Sequence, residues 1–342
     1  MKLLRFLLFP FAVLYDIITT IRNWFFNVGT LKSTSFKIPV IAVGNLSVGG
    51  TGKSPQIEYL IRLLKKDYKI AVLSRGYKRK TKGFQLITEK HVTEDVGDEP
   101  MQFYKKFKNE VYVAVDTDRT NGIQQLLQLN NPPEIILLDD AFQHRKVTAS
   151  SYVLLTKFND LFINDFILPT GTLRESRRGA NRANAIVVTK CPENLSVLQQ
   201  DELVRRINPK KHQEVFFSTI VYDEQLGGQE NLTIQDLTNT EVILVTGIAN
   251  PSALLKYLQD RSIKYHHIKF ADHHHFSKSD LIKIQQQFEN GKGSKKVILT
   301  TEKDYVRLEG KLNNLAYIAI KNKFLGSEKA FDYFILNEIK KC

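Results

Sequence analysis

The string GNLSVGGTGKSP at positions 44–55 limits what this chain can fold into more than any other feature. An apolar, β-branched run precedes it at 37–43 (KIPVIAV). A helical pattern follows at 54–66, with Ile57, Leu60, Ile61 and Leu64 at i, i+3, i+4 and i+7. A glycine-rich turn between strand and helix lets backbone N–H groups converge without Cβ obstruction, and the helix start adds partial positive charge. Gly49, Gly50, Thr51 and Gly52 would cradle phosphates, Lys53 would reach the β/γ-phosphates, and the Ser54 hydroxyl would ligate Mg²⁺. The usual pattern wants glycine at 47, where Ser47 stands. A plain glycine-rich turn is the alternative, disfavoured by the Lys–Ser pair and the strand–helix context.

A nucleotide site also needs an acid at the end of a neighbouring strand. The run 134–140 (EIILLDD) supplies Asp139 and Asp140, either of which can hold Mg²⁺ directly or through water. ATP or GTP with Mg²⁺ is the expected ligand. The base-reading N/T-K-x-D motif of switch GTPases is missing. Thr189-Lys190-Cys191-Pro192 lacks its Asp, and Thr301-Glu302-Lys303-Asp304 misplaces its Lys, so GTP is weakened.

Further short apolar runs at 69–73, 111–115, 134–138, 152–156 and 185–189 read as strands buried on both faces, which predicts a doubly wound parallel sheet. The β-rich stretch 214–223 leads into the polar 224–239 and reads as an interdomain connection. The α/β rhythm then restarts, with strands at 242–246, 265–270, 296–300 and 316–320 and helices at 251–259, 278–288 and 328–339. At ~100–200 residues per domain, 342 residues suit two domains. The expected division is an apolar leader at 1–34, a nucleotide-binding domain at 35–213, a β-rich linker at 214–240 and a second, smaller α/β domain at 241–342.

The leader is MKLLRFLLFPFAVLYDIITTIRNWFF. Its longest uncharged run, 6–15, contains Pro10 and falls short of the ~20 apolar residues a spanning helix needs. Lys2 and Arg5 precede an apolar stretch, as in a signal peptide, but Asp16, Arg22 and Trp24 follow where a small-residue cleavage site is required. An interfacial segment remains, with a helix docked on the protein's own core as the alternative. Phe6, Phe9, Phe11, Phe25 and Phe26 make it more apolar than one buried face needs. The chain carries 49 Lys+Arg against 36 Asp+Glu, a formal +13, which attracts nucleic acid, anionic lipid or phosphorylated substrates. No zinc finger or aromatic-interleaved basic module supports nucleic acid, and KRKTK at 78–82 reads as a solvated loop. Cys191 and Cys342 cannot build a disulfide framework, which suits a reducing compartment.

A kinase needs a group to accept the proton of the attacking hydroxyl. Asp98 and Glu99 in GDEP (97–100) are candidates, with an ordinary acidic turn as the alternative. Asp272-His273-His274-His275 is another; as a metal site it lacks ligand spacing, and a solvated run is the alternative. The arginines of TGTLRESRR at 170–178 could grip phosphate or simply be solvated.

In chain order, GNLSVGGTGKSP, SRGY (74–77), GDEP, the DxDR string at 116–119, DDAFQHR (139–145), LPTGTLRE (168–175), TGIANP (246–251), DHHHF (272–276) and TTEKD (300–304) resemble the tetraacyldisaccharide 4′-kinase, or lipid A 4′-kinase, family. The resemblance runs from the apolar leader to at least Arg307, and the family typically has Ser or Thr at the position of Ser47. It implies a P-loop NTPase-type domain and a smaller α/β domain joined by a β-ribbon, with a membrane-associated N-terminal helix. It also implies transfer of the ATP γ-phosphate to the 4′-hydroxyl of a tetraacylated disaccharide 1-phosphate, a step of lipid A and lipopolysaccharide biosynthesis. The expected setting is the cytoplasmic face of a Gram-negative inner membrane, peripheral or monotopic. The expected partners are that lipid and an anionic membrane surface, with no nucleic acid and no obligate protein partner.

Carried over residue by residue, Lys53 and Ser54 hold phosphate and metal, Asp139 and Asp140 sit at the acidic strand end, and Asp98 is the catalytic base beside Glu99. His273 pairs with Asp98 from the second domain, which would couple catalysis to closure over ATP. Arg174 and Glu175 lie near the substrate phosphates, with Arg119 and Gln143 assigned more loosely to the substrate. Ala141 replaces a usual Gly, which questions a positive-φ turn after Asp140. Lys78 replaces a common Gly after SRGY, and Thr170 and Thr172 vary within their loop. A kinase for a soluble sugar and a nucleotide-switched membrane adaptor are the rival readings.

Overall fold

The computed structural model of the protein describes residues 7–342; Lys2, Arg5 and Phe6 of the leader lie outside the described residues. Helix α1 (Phe9–Asn27) opens the described chain. Strand β1 (Val40–Asn45), helix α2 (Lys53–Leu64) and strand β2 (Ile70–Ser74) follow, with the glycine-rich string between β1 and α2. Next come β3 (Gln85–Leu86), the one-turn α3 (Thr93–Val96), α4 (Asp98–Phe107), β4 (Tyr112–Val115), α5 (Arg119–Leu127), β5 (Ile135–Asp139), β6 (Ser151–Lys157), β7 (Ala185–Thr189), α6 (Val197–Ile207) and β8 (Glu214–Tyr222). The last third holds β9 (Glu241–Thr246), α7 (Ser252–Asp260), β10 (Tyr265–Lys269), α8 (Lys278–Glu289), β11 (Lys296–Thr301), α9 (Glu302–Leu308), β12 (Leu315–Ile318), β13 (Ile320–Phe324) and α10 (Glu328–Lys340).

The strands form a nine-stranded sheet in the order β13-β8-β7-β6-β1-β5-β2-β4-β3 and a four-stranded sheet in the order β10-β9-β11-β12. The large sheet is parallel except for its edge pairs β3·β4 and β13·β8; the small one is parallel throughout. The expected α/β class is what forms. β1, β2, β5 and β7 are buried at every position, as continuously apolar runs require when helices cover both faces. The chain winds from β1 toward β2 and β4, and the β5-to-β6 connection then carries it to the other side of β1. Winding thus reverses beside β1, where an open α/β sheet leaves a ligand crevice at the strands' carboxyl ends.

Two stretches differ from the expected pattern. Range 214–240, read as a linker, begins with a strand that belongs to the large sheet: residues 214–217 of β8 pair parallel with β7. Residues 218–222 pair antiparallel with β13, which makes the two-stranded ribbon. The run at 316–320, expected as one strand, changes sheet near Ala319, so β12 serves the small sheet and β13 the large one. The tail of the range 241–342 therefore packs with the large sheet. Phe324 and Phe331 stack at 4.2 Å and share a core with Ile57, Leu60 and Phe216.

Helix α1 buries only Ala12 and Thr19, while Leu7, Phe9, Phe11, Leu14, Ile17, Ile18, Ile21 and Trp24 are exposed. It docks by a polar edge instead of an apolar one. Tyr15 donates to the Arg174 carbonyl at 3.1 Å, Asn23 to Glu175 at 2.7 Å, and Arg145 to the Asn23 carbonyl at 2.9 Å. Among the described residues no helix is long and apolar enough to cross a membrane.

Candidate active site

The glycine-rich loop takes positive φ at two of its glycines. Gly49 (φ 109°) and Gly52 (φ 92°) occupy the region that favours glycine, and no atom lies within 4 Å of a Cβ built on Gly49 or Gly50. Gly52 is the residue from which α2 starts, so Lys53 and Ser54 lie in the helix's first turn. Thr51 is buried, and its carbonyl accepts from Thr189 at 2.7 Å. Lys53 Nζ lies 3.4 Å from Asn45 Oδ1 and 3.7 Å from Asp140 Oδ1.

Asp139 ends β5 one strand away from β1. Ser74, at the end of β2, donates to its Oδ2 at 2.7 Å; its Oδ1 is buried without a partner. Burial, then the charge of Asp140, pushes the Asp139 carboxyl up to about 6. Asp140 behaves oppositely. Burial raises its carboxyl, but Lys53 and Arg174 outweigh that and hold it below the usual range. Arg174 reaches both of its oxygens, at 3.2 and 2.8 Å, and also bonds Asn45. The positive φ questioned at Ala141 falls on Asp140 itself (48°), a residue type that tolerates it; Lys78 also takes a positive φ, 59°.

Asp98 is the first residue of α4, set there by Gly97 at φ 96°. His273, also left-handed at φ 58°, comes from the loop after β10 and places Nδ1 2.8 Å from Asp98 Oδ2. Lys303 Nζ faces its Nε2 at 2.9 Å. An ammonium only donates, so Nε2 accepts from Lys303, while Nδ1 faces both Asp98 Oδ2 and, at 3.0 Å, Arg307 Nη2. The pair joins the two sheets' domains directly. Its neighbours diverge: His274 binds Asp280 at 3.0 Å and stacks on Phe270, so three consecutive histidines do not share one ligand. No group of three or more His, Cys, Asp or Glu suited to a metal exists among the described residues.

The remaining candidates separate by environment. Glu99 lies 3.7 Å from Lys303. Arg119 is buried and donates to the Asp116 carbonyl at 2.8 Å; burial pushes its guanidinium down to about 10. Gln143 bonds the Asn45 carbonyl at 2.9 Å and Glu175 at 3.1 Å. Glu175 also accepts from Arg182 and from Asn23 of α1, at 2.7 Å each. Gln143 and Glu175 therefore join α1 to the loop that carries Arg174.

Sequence reasoning assigned no role to Asn45, Ser74, Lys303 or Arg307. Arg307 Nε donates to Asp98 Oδ1 at 2.9 Å, and its Nη2 bonds Asp98 Oδ2. The one available signal was spacing. Lys303 and Arg307 stand four apart on one helical face.

A family model described as Tetraacyldisaccharide-1-P 4'-kinase matches residues 4–340. A tetraacyldisaccharide 4'-kinase of Flavobacterium johnsoniae is 53% identical, over 99% of this chain and 98% of the relative. One from Flavobacterium psychrophilum is 54% identical over the same shares. One from Bacteroides thetaiotaomicron is 44% identical over 88% of this chain and 82% of the relative. Among solved structures, LpxK from Aquifex aeolicus in complex with ATP superposes with a TM-score of 0.79 at 32% identity, covering 98% of this chain and 99% of that one.

Proposed function

The chain belongs to the tetraacyldisaccharide 4′-kinase family and is an ATP-dependent lipid kinase acting on the 4′-hydroxyl of a lipid A precursor, and on that premise we propose how its own residues carry the transfer. The observation that carries the reading is the Asp98–His273 hydrogen bond between domains.

The loop 44–55 acts as a P-loop. Its open backbone at Gly49 and Gly50 receives the triphosphate, and Lys53 offsets charge on the transferring group. Mg²⁺ fits the oxygen donors Ser54, Asp139 and Asp140, since Asp139 Oδ1 is buried and unpartnered. Bound there, it would neutralise charge on the β- and γ-phosphates. Asp98 accepts the proton of the 4′-hydroxyl, and His273, with Nδ1 2.8 Å from Asp98 Oδ2, orients the carboxylate. Arg174 ties Asp140 to Asn45 at the end of β1 and so sets the acidic strand end against the loop.

The exposed apolar face of α1 and the +13 charge suit an anionic bilayer surface, which we place at the cytoplasmic face of the bacterial inner membrane. A soluble acceptor gives that face no purpose. The test is label transfer from γ-labelled ATP with Mg²⁺ to detergent-dispersed tetraacyldisaccharide 1-phosphate. Lys53→Ala should abolish transfer. Asp98→Asn should lower kcat by ~10²–10⁴ with ATP affinity retained. Near-normal turnover by Asp98→Asn removes the base assignment. Pelleting of a protein lacking residues 1–27 with anionic vesicles removes the anchor.

A further inference from the structure

Helices α4 and α9 pack against each other across the domain boundary, and their facing sides are charged. Lys105 pairs with Glu309, Lys106 with Glu302 at 2.6 Å, and Glu99 with Lys303 at 3.7 Å. Most of this could serve only to hold the domains together. The Asp98–Arg307 pair combines three features. It is the pair that involves the proposed base. It is two-pronged, with Nε on one carboxylate oxygen and Nη2 on the other. It is also sheltered, the Arg307 side chain being 7% exposed and that of Asp98 13%. Arg307 is itself fixed from behind, by the His274 carbonyl at 3.3 Å and by Asp304, 3.7 Å away. Asp304 is fully buried and anchored on the Gly247 amide and the Thr301 hydroxyl, both at 2.8 Å.

We propose that Arg307 is a positioning residue for phosphoryl transfer: its planar fork orients the Asp98 carboxylate and keeps it ionised while the negative charge of the nucleotide approaches. This rests on the reading of Asp98 as the base.

The groups around Asp98 explain why such a residue is needed. Asp98 carries Glu99 beside it on α4; α9 presents Lys303, Asp304 and Arg307; the loop after β10 presents Asp272, His273 and His274. Asp272 and Glu99 both lie within 4.0 Å of Lys303, so that cation is shared. Asp304 faces Arg307 as a second acid. Arg307 is the cation committed to Asp98 through both oxygens. Burial raises the Asp98 carboxyl, and Arg307, then His273, bring it below its ordinary value. An incoming triphosphate adds several negative charges and acts in the same direction as burial. Without the guanidinium, the base would take up a proton at the pH where it must be free to accept one. A lysine supplies the charge but not the fork.

The test uses the full-length protein and label transfer from γ-labelled ATP to the lipid acceptor, with saturating Mg²⁺, between pH 5.5 and 8.5. Wild type is compared with Arg307→Met, Arg307→Lys, Asp98→Asn and Lys105→Met, the last removing an exposed stitch of the same interface. The titration of ATP is common to all and cancels. For Arg307→Met the ratio of kcat at pH 8.5 to kcat at pH 5.5 should exceed the wild-type ratio about tenfold, with KM for ATP within about threefold. Arg307→Lys should recover most of the lost activity at pH 5.5, and Lys105→Met should follow wild type. Should Arg307→Met fail to fold, Arg307→Gln is scored by the same ratio. A loss that is uniform across pH and not recovered by Lys assigns Arg307 to the interface alone and overturns the proposal. So does a wild-type profile. If Asp98→Asn turns over normally, the base reading itself fails, whatever Arg307 does.

Discussion

Replacing Glu302 by Gln should make the protein more stable at alkaline pH, although it deletes a buried ion pair. Glu302 opens α9 and puts Oε1 2.6 Å from Lys106 Nζ on α4. The same ammonium lies 2.7 Å from Glu58 Oε2 on α2, and Glu58 is also held by Arg62 at 2.9 Å and Gln102 at 3.0 Å. One lysine thus serves two buried carboxylates, and Oε2 of Glu302 has no partner. Burial, then the charge of Glu58, pushes Glu302 up from 4.5 to about 7, against the pull of Lys106. A raised carboxyl means that the folded chain binds the proton more tightly than the unfolded one. Its stabilising contribution is complete below the unfolded value near 4.5 and is lost as pH rises to about 7. At 1.36 kcal/mol per pH unit, that rise corresponds to ~3 kcal/mol. Glu58 and Lys106 share in it, so the part removed with Glu302 is about 1–3 kcal/mol. Urea unfolding followed by far-UV circular dichroism should find wild type and Glu302→Gln nearly equal at pH 5. At pH 8.5 the variant should lead by that margin. Equal pH dependence in the two proteins, or a variant weaker at pH 8.5 than at pH 5 relative to wild type, would refute the reasoning.

Other outcomes follow from single sites. Gly44→Ala puts a Cβ 2.7 Å from Phe142 Cβ and 2.9 Å from Phe142 N, so it should cost ~1–3 kcal/mol in thermal unfolding and displace the segment that carries Asp140. Phe331→Ala empties a fully buried site in the core that contains α2, and a loss of ~3–5 kcal/mol in urea unfolding is expected. A thiol reagent should titrate Cys342 quickly and Cys191 only on unfolding, because Cys191 is buried and its thiol is pushed up to about 12.

What the sequence disclosed was local. The glycine-rich string, its flanking strand and helix, and the acidic end of β5 each announce themselves within a dozen positions. The partner of β8 did not. Its pairing residues 320–324 (IKNKF) put three polar residues between Ile320 and Phe324, lie close behind β12, and join β8 from far along the chain. One apolar run at 316–320 therefore hid a change of sheet. The Asp98–His273 pair was reached through family resemblance, since adjacent acids and a histidine run carry little spatial information alone. Arg307 was illegible for the same reason: the Asp98 contact depends on how α4 meets α9, which no local pattern encodes. Glu175 and Gln143 sit in a motif beside the site, but their side chains are spent on α1 and Asn45.

The connection between domains gives the α4–α9 interface its weight. The chain leaves the large sheet through β8 and returns through β13, and these two are hydrogen-bonded neighbours. A domain tethered through two adjacent strands is restrained along one line, so its orientation depends on contacts made elsewhere. Those contacts grade from exposed to sheltered. Lys105–Glu309 has side chains 33% and 42% exposed, and such a pair contributes little. Separating α4 from α9 would also break the Asp98–Arg307 fork and the Lys106–Glu302 contact, whose side chains are at most 16% exposed, while Lys106 keeps Glu58 on α2. The sheltered contacts therefore lie at both ends of α4, Asp98 in its first turn and Lys106 in its last. The two buried pairs differ in how pH acts on them. Asp98 stays ionised throughout the neutral range, whereas Glu302, at about 7, gains its proton there. Protonating Glu302 removes one of the two strong charge couplings and leaves the Arg307 fork in place. Moderate acidification should thus loosen the Lys106 pair before it disturbs the geometry of Asp98, and the two variants, Glu302→Gln and Arg307→Met, separate these contributions.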